Sequence, residues 1–166
     1  AQKVGEQKFK QFLSDLGLLN KLDFELEEVG TPLKFKWGKC KLATSAYGHG
    51  ITTTPLQLAK AYSIISNGGY DIKPTLILKK TEGDIRYQQI ISEDVSKKVN
   101  LALRKIVTEE EGTASFANIN GYEVAGKTGT AQKSIQGGYS KNKINTFASI
   151  FPASNPKYVL IVMLDE

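Results

Sequence analysis

The sequence predicts an α+β fold in which helices pack against an antiparallel sheet. Three observations carry that prediction. The first two thirds of the chain hold three segments with apolar residues at helical spacing. The last third holds three strand-like runs in a row, joined through turn-forming residues. Strands that follow one another so closely after helices give a sheet covered by those helices.

The first helix is read from Gly5 to Leu16, with Phe9, Phe12, Leu13 and Leu16 at helical spacing and Gly17 as its stop. Residues 20–45 read as irregular, broken by Gly30, Pro32 and Gly38. Thr54-Pro55-Leu56-Gln57 then supplies an N-cap threonine, a first-turn proline and a glutamine at the third helical position. That is a capping box with a favoured proline. Leu58, Ala61, Tyr62 and Ile65 share one face of this second helix, and Asn67-Gly68-Gly69 ends it. Residues 72–79 and 85–90 read as a strand pair around Glu82-Gly83-Asp84. A third helix runs from about Ser92 to Val107, with Val95, Val99, Ala102, Leu103 and Ile106 as its apolar stripe. Glu109-Glu110-Glu111-Gly112 closes it. The sheet is read as Tyr122–Gln132, Ile144–Phe151 and Tyr158–Leu164. Gln136-Gly137-Gly138-Tyr139 forms the first connection and Ala153-Ser154-Asn155-Pro156 the second.

Composition narrows the class of protein. A chain of 166 residues is one domain or part of one, and can bury roughly 70% of its unfolded surface. Hydrophobic content of 40% and charged content of 23% are those of an ordinary globular protein. The net charge of +5 permits an acidic partner, but many of the basic residues are spread singly through Lys3–Lys41, Lys73–Lys80 and Lys133–Lys143. A solvated surface accounts for them, and nucleic acid is not expected as a partner. The one cysteine, Cys40, excludes an internal disulfide and is read as a small, buried or half-buried residue. No Cys/His cluster offers a metal site, and no metal or cofactor is expected. No apolar run reaches the roughly 20 residues that cross a bilayer. The chain starts without Met and stops on Asp165-Glu166 directly after a strand-like run, so both ends read as cut.

The chemistry is concentrated in Gly126-Lys127-Thr128-Gly129-Thr130-Ala131. A lysine within a strand of small and hydroxylated residues is unlike a core strand, which would carry Val, Ile or aromatics. Small side chains here leave room for something else against the backbone. Lys127 supplies a fixed positive charge. The hydroxyls of Thr128 and Thr130 can hydrogen-bond a carboxylate. Gly129 leaves space for an extended peptide alongside the strand, and a backbone N–H can face a developing oxyanion.

Three segments in order resemble the class B penicillin-binding proteins, and most closely their division-specific branch. The first is Tyr47-Gly48-His49-Gly50-Ile51-Thr52-Thr53-Thr54-Pro55-Leu56-Gln57-Leu58-Ala59, running on to Asn67-Gly68-Gly69. The second is Val124-Ala125-Gly126-Lys127-Thr128-Gly129-Thr130-Ala131-Gln132-Lys133, similar to the family's Lys-Thr-Gly active-site strand. The third joins Gly138-Tyr139-Ser140 to Phe147–Glu166 with Pro152-Ala153-Ser154-Asn155-Pro156. The resemblance implies a partial penicillin-binding-protein or serine β-lactamase-like transpeptidase fold, residues 1–166 being the C-terminal portion of a transpeptidase domain. It implies catalytic roles for Lys127, beside the serines of the site, and for Thr130, whose N–H would be half of an oxyanion hole. Lys127, Thr128, Gly129 and Thr130 would bind substrate. The serines, Ser140 and Ser154 included, are read as lacking a lysine three residues on, and no Ser-x-Asn stands where the family's second motif belongs; the nucleophile, its lysine and the second-motif serine are expected upstream of residue 1, so the fragment alone should not acylate.

The implied partners are peptidoglycan stem peptides, β-lactam antibiotics and, through a parent protein, cell-division membrane proteins. The implied location is the periplasmic face of the bacterial inner membrane, with the parent anchored and the fragment soluble. A serine β-lactamase or β-lactam sensor would share the Lys-Thr-Gly strand, but Thr54-Pro55-Leu56-Gln57-Leu58-Ala59 and Phe151-Pro152-Ala153-Ser154-Asn155-Pro156 favour the transpeptidase. A non-catalytic binding module is the alternative of another kind. His49 is read as a loop residue, Glu109-Glu110-Glu111 as a solvated helix end, and Trp37 and the phenylalanines as core. Gly112-Thr113 resembles a family turn near the active site and is read as structural.

Overall fold

A computed structural model describes residues 1–27, 29–33, 37–38, 40–78, 87–135 and 138–165. In chain order it has helices α1 (Glu6–Asp15), α2 (Lys41–Ser45), α3 (Pro55–Ser66) and α4 (Glu93–Thr108), then a one-turn 3-10 helix, Ser115–Ala117. Three strands follow: β1 (Ala125–Ile135), β2 (Gly138–Phe151) and β3 (Tyr158–Asp165). The strands form an antiparallel meander in the order β1-β2-β3. The α+β architecture therefore stands as read, and α2 is the helix that the irregular reading of residues 20–45 misses.

The capping box at α3 is present in full. The Thr54 hydroxyl accepts from the Gln57 N–H at 3.2 Å, and the Gln57 side-chain oxygen accepts from the Thr54 N–H at 2.8 Å. Gln57 is wholly buried, and its amide nitrogen donates to the carbonyls of Gly17 and Asn20 at 3.1 and 2.8 Å. One side chain thus starts α3 and ties it to the chain leaving α1. That exit needs Gly17, whose φ of +79° lets the N–H groups of Gly17 and Leu18 reach the carbonyls of Ser14 and Leu13.

The buried face of α3 is centred on Gln57, Ala61 and Ile64, with Tyr62 and Ile65 at its margin. Leu16, Ala61 and Ile64 form one core cluster. Leu103, Ala125 and Ile150 form a second, between α4 and the sheet. Full burial of a side chain such as Ile64 or Ile150 contributes about 1.5–3 kcal/mol relative to exposure.

The stripe of α4 is rotated from its sequence reading. Its buried residues are Ser96, Asn100, Leu103 and Val107, whereas Val95 and Ala102 face solvent. The reason is polar. The Ser96 hydroxyl donates to the Ile65 carbonyl at 2.6 Å and accepts from the Gly68 N–H at 3.2 Å. Asn100 donates to the Ser66 carbonyl at 3.3 Å. These side chains satisfy backbone groups left open at the end of α3.

Of the expected strand pair, 72–79 and 85–90, residues 79, 85 and 86 and the turn between the strands lie outside the described residues, and the described remainder does not form the pair. In the parts described, pairing is confined to a bridge between Tyr70 and Gln89, and residues 72–78 form no strand. Side chains of the 23–25 segment engage that stretch instead: Glu25 accepts from the Leu76 N–H and the Thr75 hydroxyl, and Asp23 pairs with Lys73. The turn residues 136 and 137 also lie outside the described residues, while Gly138 and Tyr139 already belong to β2.

Two core assignments are corrected. Cys40 is exposed, standing at the N-cap of the five-residue α2. Among the described phenylalanines none is fully buried, and Phe116 is fully exposed because the turn that carries it packs inward through Ala114.

Candidate substrate-binding strand

β1 begins at Ala125 rather than Tyr122 because the backbone before it is committed elsewhere. The Ala153 N–H donates to the Glu123 carbonyl at 2.7 Å, and Arg104 donates to the Val124 carbonyl. From Ala125 the strand runs in register against β2, with Lys127 opposite Ala148, Thr128 opposite Phe147, Gly129 opposite Thr146 and Thr130 opposite Asn145. Among the described residues the other edge of β1 is unpaired. A free edge presents N–H and C=O groups from alternate residues, which is what an extended peptide needs to add as a further strand.

Gly126 is required by packing. A Cβ there would lie 2.7 Å from the Ala148 carbonyl oxygen and 2.8 Å from the Phe147 ring. At Gly129 a Cβ would meet nothing within 4 Å, so the strand is open there. Lys127 lies between the two, its side chain exposed. Its ammonium donates to the Thr128 carbonyl at 2.7 Å and approaches the Thr128 hydroxyl at 3.4 Å. The Thr128 hydroxyl is 3.1 Å from that of Thr113, and the Thr130 hydroxyl donates to the Asn145 side-chain oxygen at 3.0 Å.

The four residues singled out in the sequence, Lys127, Thr128, Gly129 and Thr130, therefore occupy one continuous stretch of this edge strand. Thr113 and Asn145 are the additions. Asn145 could be found only by knowing the register that sets it opposite Thr130. Thr113 comes from a different element, the turn that ends α4.

His49 stays a loop residue. Its ring lies between Tyr47 and Tyr139, at centroid distances of 5.4 and 6.1 Å, and fastens the 47–50 segment to the start of β2. The acidic run Glu109–Glu111 is exposed at the end of α4. Among the described residues no group of three or more His, Cys, Asp or Glu could hold a metal ion.

Contrary to the sequence reading, two serines carry a lysine three residues on: Ser140 with Lys143 and Ser154 with Lys157. Neither has the setting of a nucleophile with its base. Ser140 and Lys143 lie on β2, where extended backbone sends residues three apart to opposite faces. The Ser140 hydroxyl accepts from the Asn142 N–H at 3.0 Å. Ser154 lies in the β2–β3 turn and donates to the Glu123 carboxylate. That bond, with the Ser154 N–H at 3.1 Å and with Arg104 nearby, holds the Glu123 carboxyl below the usual carboxylate range. Burial, by contrast, pushes the Tyr62 phenol up.

Two clefts lie away from the strand. One of about 680 Å³ lies beside α1, lined by Lys10, Gln11, Asn20 and Trp37 among others. Another, of about 490 Å³, lies between α4 and the 153–156 turn. Neither is lined by residues 127–130, and chemistry favours the strand over either, because lysine, two hydroxyls and a free backbone edge converge there.

The α+β scaffold presents a lysine–threonine–glycine edge strand backed by hydroxyl and carboxamide groups. The chain belongs to the penicillin-binding protein transpeptidase domain family, whose model matches residues 1–166. It is 35% identical over 179 residues to stage V sporulation protein D of Bacillus subtilis, covering 99% of this chain and 27% of that protein. It is 33% identical over 177 residues to the probable peptidoglycan D,D-transpeptidase FtsI of Caulobacter vibrioides, covering 100% of this chain and 30% of the relative. The chain thus spans less than a third of the length of either relative. Penicillin-binding protein 3 of Mycobacterium tuberculosis, solved in complex with ampicillin, superposes with a TM-score of 0.89 at 29% identity, over 99% of this chain and 41% of that one.

Proposed function

We propose that the protein containing residues 1–166 is a serine-type peptidoglycan D,D-transpeptidase that also binds penicillin, and that these residues are the C-terminal portion of its transpeptidase domain. The single observation that carries the reading is the Lys127–Thr130 stretch on a free-edged strand, in a chain matched end to end by the transpeptidase family. The relative named FtsI supports a part in septal wall synthesis, with cell-division membrane proteins as partners and the periplasmic face of the inner membrane as the place of action. Among the described residues no helix is long and apolar enough to cross a membrane.

In this reading the donor stem peptide lies along β1 with its terminal carboxylate on the hydroxyls of Thr128 and Thr130. A serine outside residues 1–166 attacks the penultimate D-Ala carbonyl. The Thr130 N–H receives the oxygen as it gains charge, an interaction typically worth a hundred- to a thousand-fold in rate. The C–N bond to the terminal D-Ala breaks and its nitrogen leaves with a proton. An amine of a neighbouring stem then attacks the acyl-serine and releases the enzyme. Lys127 supplies positive charge beside the serines throughout and assists proton transfer, a contribution of about 100- to 10,000-fold. A β-lactam enters by the same first step and stays, because its leaving nitrogen remains tethered.

The test is the intact mass of the full-length protein after exposure to benzylpenicillin, beside a Lys127→Ala variant. A stable adduct on a serine outside residues 1–166, formed at least about 100-fold more slowly in the variant, is expected. A folded full-length protein with no adduct would refute the reading and leave a binding module in its place.

A further inference from the structure

We infer that Thr113 is a positioning residue for the terminal carboxylate of the donor peptide, acting through Thr128. The inference rests on the reading of residues 127–130 as the carboxylate-holding strand.

The placement of Thr113 is built. After α4 ends, the chain turns sharply: the Gly112 N–H donates to the Glu109 carbonyl at 2.9 Å and the Ala114 N–H to the Ile106 carbonyl at 3.4 Å. Gly112 has no substitute there, since a Cβ would stand 2.0 Å from the Ile106 carbonyl oxygen. On the far side, Ala114 is buried. Thr113 is held between a glycine that fits only against the helix end and an alanine sunk in the interior. Its hydroxyl is thereby delivered 3.1 Å from that of Thr128.

The donor and acceptor count explains what this contact does. The Lys127 ammonium can only donate, and it stands 3.4 Å from the Thr128 oxygen. The Thr128 hydroxyl has a single proton. With no ligand bound, that proton is directed at the Thr113 oxygen, which fixes the side chain in one orientation. When a carboxylate arrives, Thr128 turns its proton to the carboxylate and Thr113 donates in its place to the Thr128 oxygen. The exchange leaves every hydroxyl satisfied and makes Thr128 a better donor to the anion, because its oxygen then accepts from both Lys127 and Thr113. A ligand whose carboxylate is masked as an ester draws little on this chain.

The test uses the full-length protein and compares acylation rates for benzylpenicillin and its methyl ester in wild type, Thr113→Val and Thr113→Ser. Valine keeps the shape and removes the hydroxyl; serine keeps the hydroxyl. Wild type should prefer the free acid, and Thr113→Val should reduce that preference about tenfold, the scale of one hydrogen bond serving a charged group. Thr113→Ser should restore it. An unchanged preference in Thr113→Val, or equal loss for acid and ester that serine does not rescue, would make Thr113 a structural residue and overturn the inference while leaving the transpeptidase reading intact. No acylation of wild type would overturn both.

Discussion

Gly126 and Gly129 stand on the same strand and obey different demands. Gly126 faces the Ala148 carbonyl and the Phe147 ring at distances that no Cβ tolerates, so its absence of a side chain belongs to packing. Gly129 faces open space, so its absence of a side chain belongs to whatever lies along the edge. Gly126→Ala in the full-length protein is expected to lower stability by about 1–3 kcal/mol and to reduce acylation as Lys127 is displaced. Gly129→Ala should change stability by less than about 1 kcal/mol. Thermal melts of the two variants check this, and equal losses would show that the strand does not divide its glycines in this way. The Lys127–Thr130 stretch is legible in the sequence because charge and hydroxyls stand where a core strand would carry Val or Ile. Thr113 and Asn145 are not legible as partners, because each meets its threonine only once β1 has docked on α4 and β2.

Among the elements, the β2–β3 turn is held by one carboxylate from before β1. Glu123 accepts from the N–H and hydroxyl of Ser154, and its own carbonyl accepts from the Ala153 N–H. The carboxyl is held below its usual range first by the Ser154 hydroxyl and then by the Ser154 N–H. Its contribution to stability is therefore present above the unfolded value near 4.5 and is lost as pH falls through the lower folded value. Glu123→Gln should lower stability above about pH 5, converge on the unchanged protein at low pH, and so flatten the acid limb of the stability–pH curve. An acid limb of the same slope in both proteins would remove Glu123 from this role. Element identity was legible wherever a cap or a turn residue marked it, as at Thr54 and Asn67-Gly68-Gly69. The rotation of α4 was not, because apolar periodicity has no means of showing that Ser96 and Asn100 are buried to satisfy the end of α3.

Across the whole molecule, apolar surface remains uncovered. β3 pairs with β2 alone among the described residues, and Leu160, Val162, Met163 and Leu164 are 41–65% exposed. An unpaired, apolar strand edge is a template for association. The 1–166 polypeptide by itself is expected to self-associate at micromolar concentration and to bind a hydrophobic dye, and light scattering beside the full-length protein measures it. A monodisperse, dye-silent 1–166 would show that the edge is protected. The sheet order itself was legible, because short connections between successive strands permit little but a meander. The free edge was not, since strand propensity does not say which neighbour is present.

Ser96 and Asn100 satisfy the end of α3, and they also work as a detent. If α4 slid one turn along α3, about 5.4 Å, all three of their hydrogen bonds would break at once. The helix is therefore a rod locked through its N-terminal half, and Thr113 hangs just beyond its C-terminal end. The spacing between the Thr113 and Thr128 hydroxyls is gauged from a polar lock more than two turns back along the same helix.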